Sequence, residues 1–346
     1  MTVRQPGPQH TRATIYAVAE RAGVSISTVS RVLRGSVPVA DDTRARVLKA
    51  VADLRYVPTA AASNLARKHQ PALGLVLPHL VGEYYSHLLI GFELAAAELG
   101  YTMTVLLANP RTDARGAVVT LAERVEGLAF MARSAASDDL IADLAGPRAV
   151  VTVARGAVDG VPAVFSTNRR TARELVTHLL ATGRRRPLFI GTPEPASDLQ
   201  ARHAGYLDAL ADAGLPPRDP IVTPLDDEAG VRVAERLLAD GLDADALVCG
   251  NDLLAVCVLQ VLTRAGVRVP DDVAVTGWDD IHAARFVTPT LTTVDQPVEH
   301  LARVAVAHLH AHLTGAGDPP PATTVLDSHV VHRESCCPAT GSRATR

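Results

Sequence analysis

The N-terminal pattern is helical. Ile15, Val18, Ala19 and Ala22 recur at i, i+3, i+4 and i+7, which predicts a short amphipathic helix with Thr14 placed to cap it. Gly23 follows and permits the positive φ of a sharp corner. Ser25 can cap a second helix, with Val29, Val32 and Leu33 inward and Ser27, Ser30, Arg31 and Arg34 on the opposite stripe. Asp41 or Asp42 opens a third, with Val47, Leu48, Val51 and Leu54 inward. Three helices of this length bury one shared core, so residues 13–58 are expected to form an all-α head.

Next comes "YVPTAAASNLARKHQP", where Pro58 and Pro71 bracket about a dozen residues, too few for a stable helix in isolation. Its alanines favour a helix that orders only on demand. Beyond Pro71 the period changes. Short apolar runs ("ALGLVLP", "YTMTVLLA", "GLAFMA", "AVVTVA", then "RPLFIG", "ALVCG", "DVAVTGW") alternate with amphipathic helices such as 88–99, 171–181 and 252–265. That alternation predicts an α/β body of parallel sheets covered by helices. About 260 residues are too many for one such unit, so two lobes with a ligand cleft are expected.

Charge sharpens the division. Residues 1–70 carry +7 and the remainder −10, giving the chain its net −3. A basic head on an acidic body suits nucleic-acid binding. Residues 1–12 are polar and expected to be a disordered lead-in rather than a secretory signal. No run of apolar residues approaches a membrane span. Cys249 and Cys257 sit in apolar runs, and Cys336 and Cys337 are adjacent in a C-terminal tail, 336–346. Without paired CxxC motifs no zinc site is expected, and a reducing cytoplasm fits.

Catalytic signatures are absent: no GxGxxG after a strand, no P-loop, no G-x-S-x-G and no HExxH. In "HLHAHL", His308 and His312 are spaced to grip a metal, but no carboxylate or cysteine stands at ligand spacing, and a solvated helical face accounts for them. No enzyme activity, cofactor or metal is expected. The second helix of the head is more specific. Ser side chains bond phosphates or base edges, Arg31 can bridge guanine O6 and N7, and Ile26 can touch a thymine methyl. An ordinary surface helix is the competing reading.

Here the residues carry a resemblance. "TIYAVAERAGVSISTVSRVLRGSVPVADDTRARVLKAVADLRYVPTAAASNLAR" resembles the DNA-binding head of the lac repressor (LacI/GalR) family of bacterial transcription regulators. The likeness continues through "GLVLP", "GFELAAAELGYTM", "RHAGYLDAL", "ALVCGNDLLAVCVLQVLTRAGVRVPDDVAVTGWDD" and "PTLTTVDQP", from about residue 13 to about 335. It implies a helix-turn-helix head, a hinge helix over 59–70 and a two-lobed, periplasmic-binding-protein-like body. On this plan the N-lobe takes about 71–165 plus 290–320, and the C-lobe about 166–289 plus 321–335. It further implies a homodimer, or a dimer of dimers, on a pseudo-palindromic double-stranded operator, with affinity set by a small-molecule effector, a sugar or nucleoside-like ligand.

Residue by residue, the resemblance places Ile26, Ser27 and Arg31 at base-reading positions, and Thr14, Tyr16, Ser25, Thr28 and Ser30 at phosphate-holding or supporting ones. Arg34 stands where asparagine is common and adds a phosphate contact. Leu65 falls on the leucine that wedges into the central minor-groove step. Arg202, Asn251 and Asp279 match effector-contacting positions, with Tyr84 and Tyr85 walling the pocket and Trp278 offering a ring face or packing as core. The chain departs from the family at Ala17 and Ala40, where aspartate and a serine cap are common. It also reads Thr167-Asn168 where many members have Asp-Asn, which removes one polyol-binding carboxylate. The alternative function is a small-molecule binding protein without DNA binding, which would call for an export signal and no basic head. After Arg333 no heptad pattern provides a tetramerising coiled coil.

Overall fold

Helices α1 (Ile15–Ala22), α2 (Ile26–Arg34) and α3 (Asp41–Asp53) close on one small core of Val18, Ala19, Ala22, Val29, Val32, Val47, Ala50 and Tyr56. The computed structural model describes residues 14–34, 39–54, 56, 71–109, 113–193, 198–315 and 321–337. The chain separates into two compact units, Met1–Gln70 and Pro71–Arg346. Gly23 closes α1 at φ 64°, where its N–H reaches the carbonyls of Ala19 and Glu20, a left-handed cap that favours glycine. Leu48, expected inward, is instead 48% exposed. The helical stripe is 47, 50, 51 and 54, and Leu48 lies one position off it.

In the second unit the N-lobe sheet holds six strands in the order β10-β5-β4-β3-β1-β2, all parallel. These are β1 (Ala72–Leu77), β2 (Thr102–Leu107), β3 (Gly127–Met131), β4 (Ala149–Val153), β5 (Ala163–Ser166) and β10 (Thr323–Leu326). Helices α4 (Glu83–Glu98) and α11 (Val298–Thr314) cover one face, and α5 (Ala114–Ala122) and α6 (Asp138–Ala145) the other. Side chains alternate between the two cores: Leu73, Leu75 and Leu77 face α4 and α11, and Val76 faces α5. Because both faces are covered, β3 and β4 are buried throughout, which is why they read as unbroken apolar runs.

The C-lobe repeats the scheme on three parallel strands, β6 (Pro187–Ile190), β7 (Ala246–Cys249) and β8 (Ala274–Thr276). Helices α9 (Asp227–Ala239) and α10 (Asp252–Arg264) pack on one side, with α7 (Asn168–Ala181) and α8 (Asp198–Asp212) on the other. The α7–α8 contact is close enough that a Cβ at Gly205 would stand 2.1 Å from the Arg169 carbonyl oxygen.

The lobe boundaries differ from expectation at two of three crossings. Residues 290–295 belong to the C-lobe, because Thr292 bridges Thr276 and β9 (Thr293–Asp295) pairs antiparallel with β11 (His329–Val331). Residues 323–326 belong to the N-lobe, because β10 pairs with β5. Segments of three or four residues carry too little periodicity to be seen in sequence. Cys336, expected in a tail, is fully buried in the α7–α8 core. The lead-in 1–12, the hinge segment 59–70 with Leu65, and residues 338–346 lie outside the described residues.

Candidate functional site

The head presents the start of α2 to solvent. Thr14 caps α1 by accepting the Ala17 N–H at 3.3 Å. Ser25 accepts the Thr28 N–H at 3.2 Å, and its Oγ lies 2.8 Å from Ser27 Oγ and 2.9 Å from Thr28 Oγ1. Tyr16 is 69% exposed and Ile26 40%, and Ser27 and Arg31 are also exposed. Thr28 and Ser30 are half-buried. A large tyrosine and an isoleucine left in water beside hydroxyls and an arginine form a surface that the head's own core does not require. Arg34 ends α2, and its side chain lies outside the described residues.

In the second unit a cavity of about 260 Å³ opens between the carboxyl ends of both sheets. The N-lobe contributes Val81, Tyr84, Tyr85, Met131 and Arg133, and the C-lobe Asp198, Leu199, Arg202, Leu225, Asn251, Asp279 and Ile281. Across the same opening, Glu83 Oε2 accepts the backbone N–H of His282, at 2.7 Å, joining one lobe to the other. Most of the lining is apolar, with a few convergent polar groups, as a small-molecule site requires.

Arg202 is the hub of those groups. Its Nε donates to Asn168 Oδ1 at 2.9 Å and its Nη1 to the Gly250 carbonyl at 2.7 Å, while its guanidinium lies 4.5 Å over the Trp278 ring. Asp198, one helical turn earlier on α8, stands 3.8 Å from Arg202 Nη2. Burial pushes the Asp198 carboxyl up to about 6, although Arg202 and Asn168 both pull it down. Burial likewise pushes Asp279 up to about 6, against the pull of Arg202 and Gln296 and with the repulsion of Asp198. Tyr84 Oη is buried and has no hydrogen-bond partner among the described residues, and burial holds its hydroxyl well above the ordinary range. An orphaned hydroxyl beside two carboxyls is a place for a ligand's polar group.

Asp279 is aimed by local strain. It adopts φ 111° and Asp280 φ 49°. Asp252 pins this turn: its carboxyl accepts from the Ile281 N–H at 2.9 Å and from Thr293 Oγ1 at 2.6 Å. Gly277 admits it, since a Cβ there would lie 2.0 Å from Asp252 Oδ1. Burial and the neighbouring Asp279 raise the Asp252 carboxyl to about 8.

The same residues run into the strands that cross between lobes. Gln296 Nε2 donates to Asp279 Oδ1 at 2.6 Å, and Ser166 Oγ donates to Gln296 Oε1 at 2.7 Å. Asn168 Nδ2 donates to the Ser166 carbonyl and Oγ, each at 3.2 Å, and Asn168 Oδ1 receives Arg202. Asp279, Gln296, Ser166, Asn168 and Arg202 therefore make one continuous chain of hydrogen bonds through two of the three crossings.

Of the residues expected from sequence, Tyr84, Tyr85, Arg202, Asn251 and Asp279 line the cavity, whereas Trp278 does not. Trp278 is 2% exposed and packs with Ala172, Leu175 and Val294, so it supports Arg202 from behind. Asn251 also caps α10, accepting the Leu254 N–H at 3.0 Å and donating to the Leu225 carbonyl at 3.2 Å. Asp198, Arg133, Gln296 and Asp252 were not anticipated. Asp198 had a readable signal, its i, i+4 spacing from Arg202, and it adds a carboxyl to the cavity lining. His308 is buried with Nε2 3.2 Å from Thr324 Oγ1, while His312 is exposed, so the two do not share a site.

Comparison with known proteins extends across nearly the whole chain. Residues 14–59 match the bacterial regulatory proteins of the lacI family, and residues 176–336 match a periplasmic binding protein-like domain. The chain is 32% identical over 310 residues to the HTH-type transcriptional repressor PurR of Erwinia tasmaniensis, spanning 87% of this chain and 91% of that one. A lac repressor dimer bound to operator and the anti-inducer ONPF superposes with a TM-score of 0.80 at 26% identity, over 94% of this chain and 99% of that one. A complex of the transcriptional regulator CelR with cellobiose gives a TM-score of 0.68 at 30% identity, over 94% and 100%. With its head, two-lobed body and cavity between the lobes, the chain belongs to the lacI family of bacterial regulatory proteins and is a DNA-binding transcriptional regulator.

Proposed function

We propose that this protein is a cytoplasmic repressor that binds a pseudo-palindromic operator as a homodimer and releases or tightens on it when a polyhydroxylated small molecule, a sugar or a nucleoside, fills the cavity. The observation that carries the effector class is the pairing of Asp198 and Asp279 with Arg202 and the unpartnered Tyr84 hydroxyl in a largely apolar enclosure. Two carboxylates accept from ligand hydroxyls, the guanidinium and phenol donate to ligand oxygens, and the rings of Tyr84 and Tyr85 cover an apolar sugar or base face. The ligand is bound and not transformed, in keeping with relatives that are regulators.

In the head, Ile26, Ser27 and Arg31 read base edges from the major groove, and Thr14, Tyr16, Ser25, Thr28, Ser30 and Arg34 hold phosphates or brace the helix. The lac repressor neighbour is a dimer on its operator. Here Ile90 and Leu94 on α4 and Val105 and Leu107 on the edge strand β2 are exposed, an apolar face that suits subunit pairing. Leu65, in the segment between head and body, inserts at the operator centre.

Closure of the lobes changes the angle at the crossing strands, and the chain of hydrogen bonds from Asp279 to Arg202 transmits ligand occupancy to them. A ligand moves this equilibrium only by its difference in affinity for the two arrangements. The test is a calorimetric screen of mono- and disaccharides, with cellobiose first, and of nucleosides and purine bases, followed by gel shift on palindromic duplexes. Binding of a polyol with a change in operator affinity supports the reading. Binding of no hydroxylated ligand, or no shift of any duplex, overturns it.

A further inference from the structure

Outside the cavity, a second set of donors converges in the C-lobe. His178 projects from α7, and Cys336 and Cys337 sit on the segment after β11. His178 Nε2 lies 3.0 Å from Cys337 Sγ and 3.4 Å from Cys336 Sγ, and the two sulfurs are 3.3 Å apart. Both cysteines are free thiols. We propose that His178, Cys336 and Cys337 bind a thiophilic d10 cation, with Zn²⁺ as the occupant, clamping the C-terminal segment to α7.

Adjacent residues in extended chain point to opposite sides, so two neighbouring sulfurs meeting one imidazole require a turn. That turn is anchored before any ion arrives. Ser335 Oγ receives the Thr292 N–H at 2.8 Å, the Ser335 carbonyl receives the Val275 N–H at 2.9 Å, and Thr292 Oγ1 receives the Arg333 N–H at 2.8 Å. Thr292 Oγ1 also stands 3.1 Å from Cys336 Sγ, where a hydroxyl can stabilise thiolate charge. The donor set contains no carboxylate, and two thiolates with an imidazole select zinc or cuprous copper over calcium or magnesium.

A tetrahedral zinc with Zn–S about 2.3 Å and Zn–N about 2.0 Å places its ligand atoms roughly 3.5–3.8 Å apart. The three donors therefore need to spread by only about half an ångström. The fourth position falls to water or to His332, whose ring centroid lies 4.1 Å from that of His178. Binding moves one proton from each thiol to solvent and transfers no electrons, so no oxidant is involved. The clamp holds the helix whose first residue, Asn168, grips Arg202, which gives the body an input separate from the effector cavity.

The full-length chain, reduced with a phosphine and stripped with a chelator, is titrated with Zn²⁺ against a chromophoric indicator. Co²⁺ is used in parallel to read sulfur-to-metal charge transfer. One equivalent should bind with Kd at or below about 1 µM, and zinc should protect two of the four thiols from a thiol reagent. Cys337→Ser and His178→Gln should each weaken binding at least tenfold while retaining the wild-type circular dichroism, and Cys257→Ser should leave it unchanged. Zinc uptake only at millimolar concentration overturns the assignment. So does uptake that both variants leave untouched, or binding that fails to protect the thiols.

Discussion

The reading helix and the effector cavity solve opposite problems. The start of α2 holds its chemistry in water: Ile26, Ser27 and Arg31 are exposed and stand ready for a partner as broad as a DNA groove. The cavity holds its chemistry out of water, and nearly every polar group there already has a partner: Arg202 on Asn168 and Gly250, Asp279 on Gln296, Asn251 on Leu225 and Leu254. An exposed site keeps its affinity in contacts yet to be made. A pre-wired cavity keeps part of its affinity in contacts that a ligand must exchange, so ligand binding there rearranges the protein.

The largest expected effect falls on the exposed site. On the proposed reading Arg31→Ala removes a bidentate base contact at about 2 kcal/mol per half-site, so a palindrome bound by two heads should lose roughly a thousandfold in affinity. Selection on randomised operators should show relaxed preference at one position of each half-site, while effector binding is unchanged. Retained preference at every position would remove Arg31 from the reading face.

Asp279→Asn comes next. It keeps the shape and removes a charged acceptor, which costs about 2–3 kcal/mol, or roughly a hundredfold in effector Kd by calorimetry. Operator affinity without effector should stay as in the parent chain. If Asp279→Asn left effector affinity intact, the carboxylate would not be a ligand contact.

Acidity separates the two sites more gently. Asp198 and Asp279 have carboxyls raised to about 6 from an ordinary 3.8. Between about pH 4 and pH 6 the folded cavity binds protons that the unfolded chain has released, so these two groups lower stability as pH rises through that window. Effector hydroxyls donate to the ionised form, so effector affinity should fall roughly tenfold from pH 7.5 to pH 5, and Asp279→Asn should make that profile shallower, leaving the part that Asp198 contributes.

The smallest effect tests the wiring alone. Gln296→Leu cuts the link between Asp279 and Ser166, and the ratio of operator affinities with and without effector should shrink about fivefold, with each separate affinity moving less. An unchanged ratio would show that the crossing strands respond by another route.

The contrast also explains what could be read from sequence. The head's fold was legible because its core is one helical stripe, with Val29 and Val32 inward, and the proposed reading face with Ser27 and Arg31 is the exposed side of the same helix. The long strands and their two-sided burial were legible for the same reason. The crossing strands β9, β10 and β11 are three or four residues long, and their places come from pairing with distant partners. Gln296 and Asp252 act through residues 17 to 130 positions away, as Ser166 Oγ does on Gln296, whereas the pairing of Asp198 with Arg202 spans a single helical turn. For Trp278 the sequence allows either a ring face for the ligand or core packing, and only the packing decides: it is core, the floor under Arg202.

The central claim is that cavity occupancy sets operator affinity. Its most direct measurement is fluorescence anisotropy of a palindromic duplex titrated with the full chain, with and without the hydroxylated ligand that calorimetry identifies, for wild type and Asp279→Asn. The account expects wild-type operator Kd to move at least fivefold with ligand and the variant's to stay fixed at the same ligand concentration. A ligand that saturates the wild-type cavity while operator Kd remains constant would contradict it.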